Sequence, residues 1–89
     1  MALFKLGDVV ATPGALQLCE AHAVNPLLLL GRHCNGDWGN LDQYDAAANV
    51  HAVQHDLRIL SSYAVGSAKV WVITEADRSS TCLLLPDEY

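Results

Sequence analysis

The run Lys69-Val-Trp-Val-Ile-Thr-Glu75 is β-branched or aromatic at nearly every position, which suits the pleated, half-buried surface of a strand. Turn signals bracket it. Val65-Gly66-Ser67 predicts a hairpin on one side, and Asp77-Arg78-Ser79-Ser80 predicts a second turn on the other. Arg58 to Tyr63 and Thr81 to Leu85 supply the neighbouring strands, and Pro86 ends the last of them. The C-terminal third therefore reads as a three-stranded antiparallel meander.

The preceding residues carry helix punctuation. Thr12-Pro13-Gly14 is a start signal: Thr12 can cap, and Pro13 suits the first helical position because that N–H has no partner in a helix anyway. A helix to about Ala23 is expected. Asn25-Pro26 repeats the signal for a second helix to Cys34, which Asn35-Gly36 stops. Asp42 caps a third, alanine-rich helix over Gln43 to Asp56. Residues 4–11 read as a short strand or an extended arm, which would extend the sheet to four strands or leave it at three. The fold class is α+β, with two or three N-terminal helices packed on an antiparallel sheet.

With 89 residues, the chain is read as one domain over 1–89. Hydrophobic residues make up 52 % and charged ones 17 %, which excludes disorder. A net charge of -5 argues against a domain that binds nucleic acid by neutralising phosphates. The longest apolar run, Leu27 to Leu30, is far too short to span a bilayer, and the first residues lack the pattern of a signal peptide. Cys19, Cys34 and Cys82 are odd in number and irregularly spaced, as expected of reduced thiols in a bacterial cytoplasm. The apolar fraction is generous enough to allow a homodimer.

Several clusters invite a chemical reading. Cys19, His22, His33 and Cys34, with His51 and His55 one helical turn apart, hold zinc-type donors, but their spacing fits no ligand knuckle and His51-Ala-Val-Gln-His55 lacks a metalloprotease glutamate. The plainer reading is semi-exposed helix residues, so no metal and no cofactor are expected. Ser61-Ser62 and Ser79-Ser80 have no nucleophile-elbow context, and no glycine-rich loop is placed to hold phosphate. The densest polar stretch is Thr74 to Thr81. Glu75, Asp77 and Arg78 there form either a binding edge or a turn held by side-chain bonds to the backbone. In Gly36-Asp37-Trp38-Gly39, Trp38 reads equally as an interface anchor or as a lid on a small core.

Three motifs together form an end-to-end pattern: Phe4-x-Leu-Gly-Asp-Val-Val-Ala-Thr-Pro-Gly-Ala15, Gly36-Asp-Trp-Gly39, and Val70-Trp-Val-Ile-Thr-Glu-Ala-Asp-Arg-Ser-Ser-Thr81 with Leu84-Leu-Pro-Asp-Glu-Tyr89. The pattern resembles a family of short, uncharacterised "plasmid-related" proteins of conjugative plasmids and genomic islands. That resemblance implies a bacterial mobile-element accessory and no particular catalysis. The Cys and His residues lie outside its motifs. Small proteins of such elements often block CRISPR or restriction systems by occupying a surface. The expected activity is therefore non-catalytic binding of a host or plasmid protein, with Asp37, Trp38, Glu75, Asp77 and Arg78 as contacts.

A second, partial resemblance is to the sheet of barnase-type ribonucleases. It rests on Arg58-Ile-Leu and Ile73-Thr-Glu-Ala-Asp-Arg-Ser-Ser-Thr81. Arg58 matches that family's strand arginine and Asp77 its aspartate. Arg78 stands where the catalytic histidine would be, and no upstream glutamate base matches. The alternative it implies is a divergent ribonuclease-like enzyme using Arg58, Arg78 and a carboxylate such as Glu75.

Overall fold

The computed structural model of the chain describes residues 2–89. The elements run β1 (Asp8–Ala11), α1 (Pro13–Ala21), α2 (Pro26–Cys34), α3 (Gln43–His55), β2 (Ile59–Val65), β3 (Ala68–Thr74) and β4 (Ser80–Leu84), followed by a single 3-10 turn over Pro86–Glu88. All three predicted N-caps are formed. Thr12 Oγ1 accepts from the Ala15 N–H at 3.1 Å, Asn25 Oδ1 from Leu27 at 2.9 Å, and Asp42 Oδ1 from Asp45 at 2.8 Å. Each satisfies one of the donors a helix start leaves free, typically stabilising by about 1 kcal/mol.

The α1 helix stops two residues short of the expected Ala23. Ala23 takes a left-handed backbone, φ 53, while its N–H donates to Glu20 O and that of Val24 to Cys19 O at 2.8 Å. This paired closure usually places glycine at the left-handed position. Alanine carries no such signal, so the end was not readable from the sequence.

The sheet order is β1-β4-β3-β2. The predicted meander is present, with β2 antiparallel to β3 and β3 antiparallel to β4. Residues 8–11 do form a strand, but it pairs parallel to β4, so the sheet is mixed rather than purely antiparallel. The reason is where α1 must begin. Thr12 N–H donates to Leu83 O at the end of β1 and Thr12 then caps α1, so β1 and β4 run toward the same end of the sheet.

One sheet face carries the main core. Tyr63, Val65, Val70, Val72 and Leu83 pack there against Ala15 and Cys19 of α1 and Leu29 and Leu30 of α2. We call this face inner. The α3 helix lies along the β2 edge. Its Asn49 amide donates to Leu60 O at 2.7 Å and accepts from Leu60 N–H at 3.2 Å, standing in for a neighbouring strand. Ala52 joins Trp38 and Ile59 in a second, smaller core, with Phe4, Leu41 and Val53 around it. No helix among the described residues is long and apolar enough to cross a membrane.

Candidate functional site

The predicted contact residues fall into two places, and most of them work inside the fold. In the loop after α2, Asp37 forms a forked pair with Arg32, 2.6 and 3.2 Å, which holds its carboxyl below the usual range. Both side chains are about half exposed. The Arg32 guanidinium also lies 4.6 Å over the Tyr63 ring, and the Tyr63 hydroxyl donates to Asp37 O at 2.6 Å. Burial pushes that phenol up to about 12. Trp38 is buried, with only 8 % of its surface exposed, so it is a lid on the small core. The loop is fastened to the β2 edge by Ser62 N–H donating to Trp38 O at 3.1 Å and Asn40 N–H donating to Ser62 O at 2.6 Å. Gly39 permits this approach: its φ is +76, and a Cβ there would sit 2.1 Å from Ser62 O.

Arg78, between β3 and β4, has a left-handed backbone, φ 61. Its guanidinium donates to the carbonyls of Leu57 at 2.7 Å, Ala52 at 2.9 Å, Glu75 at 3.1 Å and Ala76 at 3.2 Å. It thereby ties the β3–β4 turn to the C-terminal end of α3, where a cation also suits the helix dipole. Asp77 Oδ1 accepts from Ser79 N–H at 3.0 Å, and this bonding to Ser79 lowers its pKa. Trp38 and Arg78, distant in sequence, meet around one ring: Phe4 stacks on Trp38 at 6.3 Å between centroids and lies 5.6 Å from the Arg78 guanidinium.

His33, read from sequence as a semi-exposed helix residue, is completely buried, and Cys19 nearly so. His33 joins a chain of inward-facing polar groups. Its Nδ1 lies 2.6 Å from Ser61 Oγ and its Nε2 2.9 Å from Thr74 Oγ1; Thr74 Oγ1 lies 2.7 Å from Thr81 Oγ1, which donates to Leu6 O at 2.7 Å. The last bond fixes the direction of the chain back to His33 Nε2. Thr81 has spent its one proton, so Thr74 donates to Thr81 and His33 Nε2–H donates to Thr74. Burial lowers the His33 pKa to about 4, which keeps the imidazole neutral, so its Nδ1 accepts from Ser61. The available signal was that His33 follows Leu29 and Leu30 at helical spacing; Ser61, Thr74 and Thr81 come onto one sheet face only through the pairing of β2, β3 and β4. Among the described residues, no three His, Cys, Asp or Glu side chains converge as a metal site would require.

The opposite, outer sheet face buries Ile73 and Leu84 but stays accessible around Trp71 and Lys69. Beside α3 it forms a groove of about 440 Å³, lined by half-buried Leu60 and Trp71, by Ala48, and by exposed Asn40, Asp45 and Lys69. A second groove of about 470 Å³ runs along the other flank of α3, between Tyr44, Ala48 and His51 on the helix and Leu57 and Arg58 below it. The two share Ala48. Of the α3 side chains only Asn49 and Ala52 are buried, while Tyr44 is 83 % exposed. Next to these grooves the structure brings Glu75 to Arg58, 3.8 Å apart, and Arg58 lies 4.9 Å over the Tyr89 ring. Tyr89 in turn meets Trp71 edge-on at 5.9 Å. The sequence reading had passed over Tyr44, Ala48 and Trp71. The alternation of β3 puts Trp71 opposite its buried neighbours, and that was the available signal.

Comparison with protein-family models, with curated proteins and with solved structures finds no match to this chain.

Proposed function

We propose that the chain acts by non-catalytic protein binding, as an accessory of a bacterial mobile genetic element directed against a host defence system of the CRISPR or restriction kind. One observation carries the binding reading. The outer side of α3 presents Ala48 between two grooves, one holding Trp71 and the other Tyr44, Leu57 and Arg58. A small residue between aromatic anchors lets a partner backbone approach closely while the rings fill its pockets. The mobile-element context rests on the sequence resemblance alone. Glu75 remains a contact in this reading. Trp38 and Arg78 instead support the surface from behind.

The test is plasmid or phage challenge of cells carrying one active defence system at a time, with and without the protein. Protection against one system, and co-purification of a component of that system in fixed stoichiometry, is the expected result. No protection against any CRISPR or restriction system would end the counter-defence reading.

A second reading is favoured by the Arg58–Glu75 pair, which sets a cation beside a carboxylate on an open sheet face. Glu75 could serve as general base and Arg58 as a phosphate contact, with the general acid left to solvent. Arg78 is occupied by backbone carbonyls, so Arg58 and Glu75 would have to act alone. RNA cleavage by the purified protein that disappears in Arg58→Ala would replace the binding proposal. Intact RNA over a broad pH range would remove the enzyme.

A further inference from the structure

The two edges of the sheet are finished differently. The β2 edge is sealed by residues 38–40 and by the Asn49 amide. The β1 edge has no comparable cover among the described residues. Along β1, Asp8 N–H donates to Ser79 O and Thr12 N–H to Leu83 O, each at 3.0 Å, and Val10 is paired with Cys82. In a parallel ladder alternate residues bond the same neighbour. Asp8, Val10 and Thr12 therefore turn their backbone groups toward β4, while Val9 and Ala11 turn theirs outward. Val9 is 46 % and Val10 53 % exposed, an apolar pair on an unpaired edge.

The open stretch has defined ends. Gly7, with φ +65, breaks the extended backbone on one side, and Pro13 lacks an N–H and starts α1 on the other. The stretch available for pairing is residues 8–12, and its centre is Val10. Turned about a two-fold axis through Val10, the segment complements itself. Val9 lies opposite Ala11 of the second copy, and Ala11 opposite Val9, so every outward N–H and C=O finds a partner. Val10 meets Val10 in the closer, non-hydrogen-bonded position. Asp8 falls opposite Thr12, so no two carboxylates oppose each other.

We propose that two copies of this chain associate through antiparallel pairing of their β1 strands, centred on Val10. The two four-stranded sheets become one continuous sheet. Since β1 and β2 are opposite edges, both α3 surfaces stay free, and the dimer stands or falls independently of the binding reading. Pairing one short strand places it among weak, reversible associations.

Sedimentation over a range of concentrations, together with cysteine crosslinking, tests this. The crosslinking background is Cys82→Ser, because Cys82 neighbours Val10 within one chain. Val10→Cys is expected to form a disulfide-linked dimer on oxidation, and Val9→Cys to form little, because Val9 does not face itself. Val10→Lys, which sets two like charges together at an exposed position, is expected to shift the equilibrium to monomer. Val9→Pro, which removes a donor used only by the second copy, is expected to do the same. A protein that stays monomeric up to about 1 mM would overturn the proposal. So would a dimer that both Val10→Lys and Val9→Pro leave intact, or one that crosslinks better through Val9 than through Val10.

Discussion

Ser61, Thr74 and Thr81 project from the inner face of the sheet, and Lys69 and Trp71 from the outer one. The inner three are completely buried, yet none lacks a partner, because His33 links Ser61 to Thr74, and Thr74 bonds Thr81 directly. Trp71 is left half-buried and Lys69 exposed beside a helix that itself buries only Asn49 and Ala52. A seryl, histidyl and threonyl cluster resembles catalytic equipment when met in a sequence. Here it is spent on the fold, since each buried hydroxyl left unpaired would cost about 1–3 kcal/mol. The plainer outer face, with alanine, tyrosine and tryptophan, is the one a partner can reach. The lesson is that polar residues mark chemistry only where solvent or a ligand can approach them.

The sharpest way to break this contrast is to remove the inner chain. His33→Ala leaves a cavity, strands Ser61 and takes one of the two partners of Thr74. It should lower stability by about 3–5 kcal/mol in urea titrations. A loss below 1 kcal/mol would mean that the polar chain contributes little.

The same histidine predicts a pH dependence. Its folded pKa, about 4, lies below the ordinary 6.5. The unfolded chain therefore takes up a proton on His33 before the folded one does, and stability falls as pH drops from about 6.5 to about 4, by about 3 kcal/mol in all. Asp37 and Asp77 behave differently. Their folded pKa values are depressed from 3.8, so their contributions are lost only as pH falls below that value. The urea midpoint should decline between pH 6.5 and 4 in the wild type and stay nearly flat there in His33→Gln. A flat wild-type profile would contradict a buried neutral imidazole.

Arg78→Ala should cost about 2–3 kcal/mol, because it takes the donors from four backbone carbonyls around the end of α3 and the β3–β4 turn. A variant with native stability would return Arg78 to the list of surface contacts. The smallest effect concerns the end of α1. Ala23→Gly should raise stability by about 1 kcal/mol, visible as a higher thermal midpoint, since glycine adopts the left-handed region without strain.

Local features were the legible ones. Thr12, Asn25 and Asp42 announce their helices because a cap is settled within three residues of chain. The meander was legible for a similar reason, since a hairpin needs only its turn and two flanking runs. The parallel pairing of β1 with β4 joins residues about seventy positions apart, and no local signal specifies it. The roles of Trp38 and Arg78 were hidden likewise, because Trp38 packs on Ala52 and Ile59 and Arg78 bonds the Ala52 and Leu57 carbonyls, neighbours that meet only after folding. The exposure of α3 was obscured by its alanines, which fit a buried face and an open one equally well.

The most direct test of the division between the two faces is a single comparison in the challenge assay that detects protection, with thermal midpoints measured on the same proteins. Ala48→Arg places a long charged side chain between the two α3 grooves at an exposed helical position, where stability should change by no more than about 0.5 kcal/mol. Loss of protection by Ala48→Arg with an unchanged thermal midpoint is the predicted result. Full protection by that variant would contradict the assignment of the α3 surface as the partner site.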